Sequence, residues 1–150
     1  MRFALEACRR GVEAGQLPFG ACLVSAAGAV LACTHNRVWL DTDPTAHAEV
    51  NAIRAACAAA GDVHLPGATI YSTTEPCPMC FTAIHWARVE RIVSGATIAD
   101  AAGFGFHELV IANADMKAHG GAAIQIVPGF MRDEALALFR LWRDGGGRAY

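Results

Sequence analysis

Thr69-Ile70-Tyr71-Ser72-Thr73-Thr74-Glu75-Pro76-Cys77-Pro78-Met79-Cys80 decides how this chain folds and where its chemistry lies. Thr69 to Thr73 is dominated by β-branched and aromatic residues and reads as a short strand, set off by Pro66-Gly67. Pro78 then opens a helix to Ala87, because proline at the first helical position gives up no backbone hydrogen bond. A strand that feeds straight into a helix is the building unit of an α/β sheet.

The flanking sequence continues that alternation. Phe3 to Ala14 reads as a helix, with Ala4, Leu5, Cys8 and Val12 at helical spacing. Pro18 to Val24 and Val30 to Thr34 read as two strands turned through Ala26-Ala27-Gly28 into a hairpin. Asp43-Pro44 reads as a helix start that reaches about Ala60 and stops at Gly61. Ile92 to Ala96 and Ile124 to Val127 are further strands, and Arg132 to Arg143 is a closing helix before the flexible Gly145-Gly146-Gly147. Ala99 to Gly121 has no period that assigns it. With no repeat and no linker, residues 1–150 form one α/β domain with helices on both faces of a central sheet.

Of the 150 residues, 54% are hydrophobic and 17% charged, the composition of a globular chain. The net charge is −2, Lys117 is the single lysine, and the arginines are scattered, which argues against a nucleic-acid partner gripped through its backbone. No apolar run approaches the roughly 20 residues of a membrane span, and Glu6, Arg9 and Arg10 interrupt any signal core. A cytoplasmic protein with no membrane partner is expected. In that setting Cys8, Cys22, Cys33 and Cys57, each alone in an apolar segment, read as small buried hydrophobes.

Cys77 and Cys80 are different, because their spacing lets them share a ligand. His47-Ala48-Glu49 lies in the first turn of its helix, and Cys77 to Cys80 opens the next one. Two such helix starts can face one another across a gap. One imidazole and two thiolates form a set suited to zinc, and three protein ligands leave a fourth position for water, as in catalytic sites. Glu49, two residues from His47, is placed for moving protons. H-x-E followed by P-C-x-x-C is the pattern of zinc-dependent deaminases. Two rival readings, a thioredoxin-type redox pair and a structural zinc site completed by His35, His64 or His85, leave His47-Ala48-Glu49 unexplained or lack paired ligand spacing.

From Pro18 to about Ala96 the chain resembles the cytidine deaminase-like superfamily, in the branch containing bacterial guanine deaminases and tRNA adenosine deaminases. Pro18-Phe19-Gly20-Ala21, Asp43 to Glu49 and Glu75 to Cys80 carry the resemblance. It implies a three-layer α/β/α sandwich around a central five-stranded mixed sheet, one Zn2+ per chain on His47, Cys77 and Cys80, and a homodimer with about residues 129–150 swapped between subunits. It also implies substrate contacts from Phe19, Asn36, Ala48, Trp86, Phe106, His107 and Tyr150, with Glu108 as a second catalytic carboxylate beside Glu49. His107 stands where guanine deaminases commonly carry aspartate. The expected substrate is a small nucleobase, guanine first; cytosine, guanosine, a triazine or tRNA adenosine are the alternatives.

Overall fold

The computed structural model describes residues 1–149. Its strands are β1 (Gly20–Val24), β2 (Val30–His35), β3 (Thr69–Thr74), β4 (Arg91–Ala96) and β5 (Gln125–Val127), joined in one sheet in the order β2-β1-β3-β4-β5. The β1–β2 hairpin is antiparallel, β1 pairs antiparallel with β3, and β3, β4 and β5 run parallel. Parallel neighbours need a long crossover, and here helices supply it. Helices α1 (Arg2–Glu13) and α7 (Arg132–Asp144) cover one face of the sheet, and α3 (Ala48–Ala60) and α4 (Pro78–Trp86) the other. This is the three-layer α/β/α sandwich with a five-stranded mixed sheet.

Close packing explains several residue choices. Ala4, Ala7, Cys8 and Gly11 form the buried stripe of α1. That stripe approaches β1 so closely that a Cβ on Gly20 would lie 2.7 Å from the Cys8 Cβ. On α7, Phe139 is fully buried, with its ring centroid 5.4 Å from that of Phe19, 5.0 Å from Phe104 and 5.9 Å from Phe106. These aromatic contacts tie the closing helix to the segment that follows β4. Among the described residues, no helix is long and apolar enough to cross a membrane.

Two expectations need correcting, and one unassigned stretch gains its elements. The helix expected from Asp43-Pro44 begins at Ala48, with His47 as its N-cap. Asp43 uses its carboxylate on the Thr45 N–H and hydroxyl at 2.8 and 2.7 Å, making a tight turn after the short α2 (Val38–Asp41) instead of a helix start. The stretch without a clear period holds α5 (Ile98–Gly103), started by a Thr97–Asp100 capping box, and α6 (Asn113–Gly120). Cys22 and Cys33 are not separate buried hydrophobes. The hairpin register sets them opposite each other with Cα atoms 4.1 Å apart, and the structure joins them as a disulfide.

Candidate metal centre

Two helix starts build the centre. His47 is the N-cap of α3 and Cys77 the N-cap of α4, both with extended backbone, and Cys80 follows one turn into α4. Neither N-cap side chain is spent on its own helix, so both are left to point across the gap. The Nδ1 of His47 lies 3.7 Å from the Cys77 Sγ and 3.6 Å from the Cys80 Sγ. A tetrahedral zinc with Zn–N near 2.0–2.1 Å and Zn–S near 2.3 Å sets imidazole and thiolate ligand atoms about 3.6 Å apart. The cluster therefore has the dimensions of a zinc site. Among the described residues it comprises these three ligands, which leaves the fourth tetrahedral position open.

In the metal-free site, electrostatics favour the ligating form at Cys77 and the protonated forms at Cys80 and His47. The Cys80 thiol, donating to it, and the neighbouring His47 hold the Cys77 thiol down to about 4, against the pull of burial. Cys80 moves the other way, raised by its hydrogen bond to Cys77 and by burial. The pair thus carries one ready thiolate and one proton that a metal would displace. Burial works to lower His47, but its hydrogen bond with Cys77 and the charge of Glu49 raise it overall.

Glu49 is 5% exposed, and desolvation raises its carboxyl above the ordinary value. Ser72 on β3 donates to Oε1 at 2.7 Å, which fixes the carboxylate, while Oε2 lies 3.4 Å from the Cys80 Sγ. Ser72 was invisible as a site residue in the sequence; only the β3 register brings it under α3. A cavity of about 190 Å³ opens over the cluster, lined by Pro44, His47, Cys77, Pro78, Met79, Phe106, His107, Glu108 and Leu109. Among the described residues the buried Glu108 Oε2 has no hydrogen-bond partner, and burial together with the charges of Cys77 and Glu49 pushes its pKa up to about 7.

The other expected contacts separate. Phe106 reaches the cavity and packs on Phe19 and Trp142, whereas Phe19 and Ala48 lie in the core behind it. Asn36 is fully buried; its Oδ1 accepts the Val38 N–H at 3.0 Å, and its Nδ2 has no partner among the described residues. Trp86 closes α4 at the end away from Cys77, is 73% exposed, and does not line the cavity of its own chain. Tyr150 lies outside the described residues.

Comparison with known proteins follows the same lines. Residues 1–96 match the family described as the cytidine and deoxycytidylate deaminase zinc-binding region. A guanine deaminase of Bacillus subtilis (strain 168) is 41% identical over 147 residues, covering 96% of this chain and 92% of its own. A tRNA-specific adenosine deaminase of Agrobacterium fabrum is 47% identical over 96 residues, 64% of this chain and 62% of its own. Among solved structures, the guanine deaminase from Nitrosomonas europaea superposes with a TM-score of 0.87 at 29% identity, over 95% of this chain and 82% of that one.

Proposed function

Because the chain belongs to the cytidine and deoxycytidylate deaminase family and is a zinc aminohydrolase, we propose that it hydrolyses a free purine base of the guanine type to xanthine and ammonia. The observation that carries the substrate reading is the reach of the guanine deaminase match. It extends over 96% of the chain and so includes the 106–109 wall of the cavity.

Bound zinc supplies Lewis acidity that brings the pKa of water towards neutrality. The remaining work belongs to the chain. Glu49, held by Ser72 and buried, takes a proton from the attacking water and delivers it to a ring nitrogen, then takes a second from the hydroxyl added to the ring carbon and delivers it to the departing amine. Its Oε2 lies 3.4 Å from the Cys80 Sγ, on the side of the ligand cluster. Glu108 Oε2 at the cavity and Asn36 Nδ2, which does not line it, are both buried without a partner among the described residues and are read as the acceptor and the donor for the edges of a base. Phe106 offers the cavity an aromatic face, and His107 stands at its exposed rim.

Ammonia release across guanine, guanosine, cytosine, adenine and triazines tests this. Guanine is expected to be turned over; clear turnover of another base with none of guanine moves the substrate and keeps the chemistry. The tRNA adenosine reading is favoured by the 47% identity to a tRNA-specific enzyme, and opposed by a net charge of −2 with one lysine. Absence of tRNA binding at low salt, where phosphate-driven binding is strongest, would close it. A homodimer is part of the proposal, and a monomer mass by light scattering would remove it.

A further inference from the structure

Glu75 lies two residues before the first cysteine ligand and is not among the residues that line the cavity. Its carboxylate instead accepts two backbone N–H groups from distant points of the chain: Ile98 on Oε2 at 3.3 Å and Asn113 on Oε1 at 2.8 Å. These are the first residues of α5 and α6. Helix α6 has no side-chain cap at Ala112, so Glu75 supplies from another segment the acceptor that a helix start requires. A negative charge there also faces the positive ends of two helix dipoles. Asn113 returns the contact, donating from its buried Nδ2 to the Pro76 carbonyl at 2.6 Å. The Glu75 N–H is in turn tied to the Ala96 carbonyl at 2.7 Å.

The segment between those two ends carries Phe106, His107 and Glu108 into the cavity. Its front end has a second anchor, Asp100 paired with Arg132 of α7 at 2.6 Å. Beyond Glu108 the chain runs through exposed Leu109 and Val110, and among the described residues the next hydrogen-bonded anchor to the body of the protein is Asn113. The back of the wall therefore hangs on Glu75, Pro76 and Asn113.

Resting on the deaminase reading, we propose that Glu75 is a positioning residue that staples both ends of the 98–113 segment to the metal-ligand loop and so holds Glu108 at a set place over the His47, Cys77 and Cys80 cluster. Two convergent N–H groups call for two acceptor oxygens. Glutamine offers one oxygen and turns a donor towards the other N–H; alanine offers none. Releasing the staple loosens the wall and leaves the three ligands in place, because α3 and α4 hold them independently.

The test uses the full zinc-loaded chain with Glu75→Gln, Glu75→Ala and Asn113→Ala. Zinc content is expected to stay at the wild-type level. Amide hydrogen exchange across residues 104–112 is expected to quicken in all three, most in Glu75→Ala. With guanine as the probe, kcat/KM should fall on the order of ten- to a hundredfold. Combining Glu75→Ala with Glu108→Gln should cost no more than Glu108→Gln alone, since the staple acts through that carboxylate. Losses that multiply in the double variant, or unchanged exchange accompanied by loss of zinc, would overturn the proposal. Should Glu75→Ala fail to fold, Glu75→Gln and Asn113→Ala carry the same readings. The exchange measurement needs no substrate, so a wild-type chain inert towards guanine overturns the substrate reading and leaves exchange to decide the staple.

Discussion

Glu49 and Glu108 are two carboxylates at one cavity with different surroundings. Glu49 has a hydroxyl from Ser72 and a thiol beside it; Glu108 has an oxygen with no partner among the described residues. Replacing Glu49 with Gln keeps nearly the same shape and removes the proton carrier. Metal analysis should find zinc retained, while ammonia release falls by about 10²–10⁴. Glu108 has a signature in stability. Burial, then the negative charges of Cys77 and Glu49, raise it from 4.5 to about 7, so the folded chain binds that proton more tightly than the unfolded one. Its contribution is present below pH 4.5 and is lost as pH rises towards 7. For the metal-free protein, the urea midpoint should decline across that window, and Glu108→Gln should flatten the decline. An equal slope in both proteins would remove this assignment.

At the scale of elements, the N-terminal ends of α3 and α4 do the shared work, and α5 sets the start of the cavity wall. Thr97 accepts the Asp100 N–H at 3.0 Å, and Asp100 accepts the Thr97 N–H at 2.9 Å. Thr97→Ala should therefore cost about 1 kcal/mol, read from denaturant unfolding, with zinc content unchanged. The capping box was present in the sequence as threonine and aspartate three apart, but a six-residue helix is too short to show a period. The boundary of α3 was misplaced for a related reason. Asp43-Pro44 is as good a turn as a helix start, and what separated the two was the Asp43 carboxylate closing on Thr45. Cys22 and Cys33 read as solitary along the chain; the hairpin register alone makes them neighbours.

For the whole molecule, the metal ligands come from the starts of two helices on the same face of the sheet, so zinc joins parts that the unfolded chain holds far apart. Removing it with a chelator should lower the melting temperature; zinc at a hundred times its dissociation constant contributes about 2.7 kcal/mol to the folded state. A melting temperature indifferent to chelation would mean that the three ligands do not hold the metal. The ligand set and Glu49 were legible from sequence because each lies in a short motif at a helix start, where local chemistry and position coincide. The alternation of strands and helices was legible for the same reason: side-chain period is a local property. Ser72 beneath Glu49, Glu75 across two helix starts, the unpartnered oxygen of Glu108 and the exposure of Trp86 were decided only by tertiary structure. Each depends on strand register or on the packing of segments distant in sequence, and no local pattern of residues encodes which distant groups will meet.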